Sequence, residues 1–238
     1  MRHVDLCSGI GGFALGFEWA ELSRPVLFCD IEPWSRQVLA KHWPNVPIAQ
    51  DVKELANDPD RNVPDCDILT AGYPCQPFSL AGKRLGSADT DRHIWPYILR
   101  IVASKRPSWC VFENVYGHLT LGLDQVLLDL EAEGYATRPF IVPACGVDAP
   151  HKRDRIWIIA KNMADTDGPR RKEQRWPQPA QPKHQAPQCR SGWLTEPPVG
   201  RVAHGIPKRV DRLKGLGNAI VPQIAQRIGE TIKRAYLQ

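Results

Sequence analysis

Arg2-His3-Val4-Asp5-Leu6, Cys7-Ser8-Gly9-Ile10-Gly11 and Gly12-Phe13-Ala14-Leu15-Gly16-Phe17-Glu18-Trp19 follow one another as a short apolar strand, a glycine turn and the start of a helix. Glycines are needed between the two elements because the backbone must turn tightly there and let a ligand approach without a Cβ in the way. A strand that ends in such a turn and feeds a helix is the opening unit of a parallel sheet. Gly9, Gly11 and Ala14 also match the spacing G-x-G-x-x-A, and Asp30 falls at the end of the next strand, where an acid grips ribose hydroxyls. Alone, the pattern fits a nicotinamide enzyme, an S-adenosylmethionine enzyme, or a tight turn with no ligand.

Outward from this unit the alternation continues. Pro25 to Asp30 reads as a second strand, and Pro33 opens a helix that runs to about His42. Cys66 to Ala71 is a third strand, followed by a loop from Gly72 to about Arg92 and a helix from His93 to Lys105. Trp109 to Glu113 is a strand, Leu123 to Glu133 a helix, and Pro139 to Pro143 and Arg155 to Ala160 are closing strands. The expected fold is α/β, a doubly wound, mostly parallel, Rossmann-like sheet.

Composition changes after Lys161. Residues 161–200 hold 7 of the 22 prolines and show neither helical nor strand periodicity, so composition alone favours a flexible linker. Regular structure resumes near Val210, with a glycine turn in LKGLGNAIVP and an amphipathic helix from Pro222 to Tyr236. The expected organisation is one catalytic domain, residues 1–160 plus 210–238, interrupted by a small basic, proline-rich region, 161–209.

The chain has 238 residues, 42% hydrophobic and 24% charged, which excludes fibrous and wholly disordered readings. No apolar run approaches the ~18 residues that cross a bilayer, so no membrane partner is expected. Seven cysteines, odd in number and widely spaced, argue against disulfides and a zinc site, and the start turns glycine-rich before any signal peptide could form. A reducing, cytoplasmic setting without a metal is therefore expected. Net charge is +5, but His151 to Lys214 carries 15 Lys and Arg against 6 Asp and Glu. That region suits a polyanion, although a solvated basic surface is the plainer reading.

Three further motifs carry chemistry. Gly72-Tyr73-Pro74-Cys75-Gln76-Pro77-Phe78-Ser79 directly follows a strand, which puts Cys75 on a rigid loop at the carboxyl end of the sheet, where such folds bind ligands. A nucleophilic cysteine reacts as its thiolate. Cys7, Cys29, Cys66 and Cys110 sit in apolar strand contexts and are expected to be packing residues. Glu113-Asn114-Val115 ends the next strand on the same edge, and its carboxylate could be an acid, a ligand grip or a helix cap. His151-Lys152-Arg153-Asp154-Arg155 leads into a strand, where alternation would put Arg153 and Arg155 on one face.

In this combination and order, DLCSGIGGF (5–13), an acid after the second strand, PCQPFS (74–79), the Glu113 motif, the Arg153-x-Arg155 pair and a late GNAIVP (217–222) resemble the cytosine-5 DNA methyltransferase family, phage and bacterial branch. The resemblance covers residues 1–160 and about 201–238. Between them lies the place where that family keeps its target-recognition domain, and the insertion here is short for one. Cys7 stands where the family usually has Phe, His151 where Gln is common, and His93-Ile94-Trp95 where Gly-Thr-Leu is usual.

The resemblance implies methyl transfer from S-adenosylmethionine to carbon 5 of a cytosine flipped out of double-stranded DNA. Cys75 would attack carbon 6, Glu113 would hydrogen-bond N3 and the exocyclic amine, Arg155 would hold O2, and Arg153 would support the pocket or Cys75. Gly9, Gly11, Gly12 and Phe13 would surround the methionine part and adenine face of the cofactor. Asp30 would accept the ribose hydroxyls, with Ile31 against adenine; Asp51 would take the adenine amine, with Val52 beside it; Asn218 and Ala219 would close the pocket. A monomer acting in a bacterial or phage-infected cytoplasm is expected, with room for a cognate restriction endonuclease as partner. RNA methylation is the nearest alternative. A nicotinamide oxidoreductase explains Gly9 to Asp30 but gives Cys75, Glu113 and the arginines no task.

Overall fold

The computed structural model describes residues 1–74, 94–149, 152–166 and 218–237. Seven strands, β1 (Arg2–Leu6), β2 (Arg24–Cys29), β3 (Ile48–Ala49), β4 (Ile68–Gly72), β5 (Trp109–Val115), β6 (Tyr135–Pro143) and β7 (Asp154–Asn162), form one sheet. Their order is β3-β2-β1-β4-β5-β7-β6. The first five strands are mutually parallel, and β7 runs antiparallel to both β5 and β6. The strands before the glycine turn, Asp30, the Cys75 loop and the Glu113 motif therefore end on one edge.

Helices cover both faces. Residue alternation along β5 sends Trp109 and Val111 toward α1 (Gly12–Trp19) and the terminal helix, here α8 (Pro222–Leu237), where they join Phe13, Phe17, Trp157 and Ile224. Cys110 and Phe112 point the other way, into a core shared with α3 (Val52–Asn57), α5 (Trp95–Lys105) and α7 (Leu123–Ala132). Helix α2 (Pro33–His42) packs Leu39 against Phe28 and Ala14. The short helices α4 (Pro59–Asn62) and α6 (His118–Leu121) complete the layers. Cys29, Cys66 and Cys110 are buried as expected, whereas Cys7 is half-buried in the turn. None of the helices described is long and apolar enough to cross a membrane.

β7 runs two residues beyond the expected boundary at Ala160, to Asn162. From 167 to 209 the proposed insertion lies outside the described residues, as do 210–217 of the terminal segment and Cys75.

A polar chain crosses the core beneath the glycine turn. The Thr70 hydroxyl donates to Asp5 Oδ1 at 2.6 Å, so its oxygen accepts from His3 Nε2 at 2.7 Å. All three residues are fully buried, and His3 Nδ1 and Asp5 Oδ2 have no partner among the described residues. Burial keeps His3 neutral down to about pH 3 and pushes the Asp5 carboxyl up to about 8. Deprotonating Asp5 thus costs more in the folded chain than in the unfolded one, and folding weakens as pH rises toward 8. Below the ordinary histidine range, His3 opposes this trend, because the unfolded chain gains its proton first. Between pH 7 and 8, stability is expected to fall by on the order of 1 kcal/mol per pH unit, and Asp5→Asn should flatten that slope in denaturant titrations.

Candidate active site

The carboxyl edge of β1 and β2 is held by one carboxylate. Gly9 N donates to Asp30 Oδ2 at 2.7 Å and Glu32 N donates to Oδ1 at 2.9 Å, while Arg36 Nη1 donates to the Asp30 and Ile31 carbonyls at 2.9 and 2.8 Å. Burial raises the Asp30 carboxyl, and the two amide donors hold it back. Next to it the Ile31 side chain is 64% exposed at this edge. Asp51 sits at the neighbouring strand end, since Asp30 N bonds Ala49 O at 3.2 Å, and its Oδ1 caps α3 by accepting from Lys53 N at 2.9 Å. Val52, the first residue of α3, is buried in the core.

The glycine turn is left-handed at Gly9, with φ 56°, and at Gly11, with φ 85°. Gly12 is required for another reason: a Cβ there would lie 2.7 Å from the Ile220 side chain and carbonyl, so the terminal segment closes directly on the turn. Phe13 turns its ring into the core, edge-on to Trp157 with centroids 5.5 Å apart, which leaves its backbone as the part a ligand could meet. Asn218 is exposed and Ala219 half-buried at this edge.

Glu113 lies two strands away. It pairs with Gly72 of β4 and Trp157 of β7, and Arg155, two residues before Trp157, shares its face of the sheet. Arg155 Nε reaches Glu113 Oε1 at 2.9 Å. Glu113 is 8% exposed, and burial raises its carboxyl to about 7 despite the opposing charges of Arg155 and Arg153. An acid poised between its two forms near neutral pH is suited to proton transfer.

Arg153 reaches this neighbourhood by another route than strand alternation. It precedes β7, its backbone is left-handed with φ 36°, and its Nη2 donates to Ala219 O at 2.7 Å. The expectation that Arg153 and Arg155 share a strand face is corrected accordingly, although both charges bear on Glu113.

A buried contact between Tyr73 and His118 escaped sequence reasoning. The Tyr73 hydroxyl lies 3.0 Å from His118 Nε2, and the Tyr73 ring packs against Trp95 and Phe112. It joins the chain leading into the Cys75 loop to the segment after Glu113. No local signal could have revealed a pairing across 45 positions.

The edge thus carries an acid with an exposed aliphatic neighbour at one end and a buried acid with two arginines at the other. The family profile of C-5 cytosine-specific DNA methylases matches residues 1–194. Type II methyltransferase M.BsuFI of Bacillus subtilis is 36% identical over 163 residues, 67% of this chain and 39% of that protein. Type II methyltransferase M.NlaIV of Neisseria lactamica is 35% identical over 184 residues, 70% of this chain and 43% of that protein. The chain therefore spans about two fifths of the length of these relatives. Among solved structures, S. pombe Dnmt2 methyltransferase matches with a TM-score of 0.60 at 24% identity, covering 73% of this chain and 57% of that one, a likeness of fold. The profile match and these relatives place the chain in the C-5 cytosine-specific DNA methylase family.

Proposed function

We propose that this chain transfers a methyl group from S-adenosylmethionine to carbon 5 of a flipped-out cytosine in double-stranded DNA, through a covalent adduct of Cys75. The observation that carries the reading is the buried Glu113 carboxyl, balanced near neutrality at 2.9 Å from Arg155.

The residues at the β1–β2 edge fit the cofactor. Gly9 is left-handed, and none of the described residues lies within 4 Å of where its Cβ would be, which leaves room there for a ligand. Asp30 offers a carboxylate to the ribose, exposed Ile31 an apolar surface to the adenine, and Asp51 an acceptor to the adenine amine, with Gly11, Gly12, Val52, Asn218 and Ala219 around them. S-adenosylmethionine, when bound, supplies an electrophilic methyl group.

The base cannot be attacked on carbon 6 within the helix stack, so it is flipped out at a cost of a few kcal/mol. The Cys75 thiolate adds to carbon 6, forming the C–S bond and moving the C5–C6 π electrons toward carbon 5. Glu113, protonated, donates to N3 and offsets the charge that develops in the ring. Arg155 holds O2. After methyl transfer, loss of the carbon 5 proton to solvent and departure of the thiolate restore the aromatic ring. Residues 161–209 bind the duplex and select the sequence, which their basic character favours.

Methyl-labelled S-adenosylmethionine, incubated with the protein and either bacterial DNA or total RNA, tests this reading. Label is expected in 5-methylcytosine of the DNA; label in RNA alone, or in neither, would overturn it. Asp30→Ala should raise the KM for S-adenosylmethionine by roughly ten- to hundredfold, the loss of a charged hydrogen bond worth ~1.5 to 3 kcal/mol, with kcat much less affected. An unchanged KM would remove Asp30 from the ribose site.

A further inference from the structure

Segment 219–220 touches both ends of the site. Ile220 is buried in the core with Phe13, Phe17 and Trp157, and its side chain and carbonyl close on Gly12 of the glycine turn. The same side chain reaches β4: a Cβ at Gly72 would lie 3.3 Å from Ile220 Cδ1 and 3.7 Å from Glu113 Oε2. One isoleucine thus bridges the turn that faces the cofactor and the floor beside Glu113.

Arg153 bonds to this segment. Its Nη2 donates to the Ala219 carbonyl at 2.7 Å, joining residues 66 positions apart. The Arg153 backbone is held at φ 36°, a conformation that an L residue other than Asn, Asp or His rarely adopts and that persists only where its surroundings impose it. Those surroundings include Ala144 N, which donates to the Lys152 and Arg153 carbonyls at 2.7 and 3.3 Å. Arg153 Nε is buried without an acceptor among the described residues. Glu113 and Arg155 lie close enough for their charges to act on it.

We propose that Arg153 is a positioning residue that couples the cofactor end of the site to the Glu113 pocket by clamping the Ala219–Ile220 segment both ends share. The proposal rests on the methyltransferase reading and adds to it a thermodynamic link between the two ligands. A ligand that orders the glycine turn presses on Ile220, and through it on Gly72 and the Glu113 pocket. A base in that pocket acts back along the same contacts. Such coupling is reciprocal: the factor by which cofactor product tightens DNA binding equals the factor by which DNA tightens the product.

The test uses S-adenosylhomocysteine and a duplex carrying the sequence that the expressed protein methylates in cells. Each Kd is measured with and without the other ligand. The wild type is expected to show a coupling factor of at least ~5, the same from both directions. In Arg153→Met the factor should fall to within about twofold of unity, while Arg153→Lys, which keeps a donor for the Ala219 carbonyl, should retain most of it. Because the readout is a ratio, a general loss of affinity or stability does not imitate the result. Independent binding in the wild type, or an unaltered factor in Arg153→Met, would overturn the inference alone. Failure of the wild type to bind S-adenosylhomocysteine, or to methylate any duplex, would instead overturn the functional reading beneath it.

Discussion

Cys75→Ala is expected to lower methyl transfer by at least about three orders of magnitude, because without the thiolate carbon 5 of cytosine is too weak a nucleophile to take the methyl group. A duplex with 5-fluorocytosine at the target should trap the wild type as a complex that survives denaturation, since fluorine in place of the departing proton blocks the final elimination. In sequence the cysteine follows Tyr73 and Pro74, three residues after β4 ends at Gly72, and the neighbouring β5 carries Glu113. No trap should form with Cys75→Ala. A trap that persists in the variant would move the nucleophile to another residue, although Cys29, Cys66 and Cys110 are buried with thiols pushed up by burial and are poorly suited to attack.

The second large effect concerns Glu113. In the proposed mechanism a proton on its carboxyl is what allows donation to N3, and burial holds that proton to about pH 7 against Arg155 and Arg153. Raising the pH through 7 ionises Glu113, the carboxylate pairs with Arg155, and the rate of methyl transfer falls. Glu113→Gln should lower kcat by roughly 10²- to 10⁴-fold and remove the inflection near pH 7, since the amide does not titrate there. Arg155→Met should move the inflection upward, because the nearest charge favouring ionisation, 2.9 Å away, is lost. A profile flat from pH 6 to 9 in the wild type would contradict the proton-donor role.

Most of the framework is legible in the sequence because its signals are local. The glycine turn places the end of β1 and the start of α1, and Pro33 at the first turn of α2 marks where that helix begins. β6 was harder. Pro139 and the polar residues before it break the apolar pattern, so only Pro139 to Pro143 reads as a strand, whereas the strand runs from Tyr135. β6 is an edge strand with one neighbour, and an edge tolerates a residue that cannot donate to the ladder. The two residues of β3 carry no periodicity to detect. Helices α3 and α4 are too short to show periodicity, and their local signals are the caps, Asp51 and Asp58, the latter directly before Pro59.

The site divides along the same line. Asp30 and Glu113 are legible because one directly follows β2 and the other lies near the end of β5, on the edge where parallel sheets bind ligands, and the position of such ends follows from local pattern. The Arg155–Glu113 pair depends on register between antiparallel strands, which sequence does not fix. The clamp of Arg153 on Ala219 and the contact of Tyr73 with His118 depend on long-range packing, and the left-handed backbone at Arg153 defeats the alternation that strand geometry suggests.

Bisulfite sequencing of DNA from cells lacking other cytosine methylation, with and without expression of this chain, tests cytosine-5 methylation by this chain. Expression is expected to protect cytosines from conversion within one recurrent sequence, and Cys75→Ala, expressed to the same level, to protect none. Complete conversion of every cytosine in cells that accumulate the folded, S-adenosylmethionine-binding protein would contradict it.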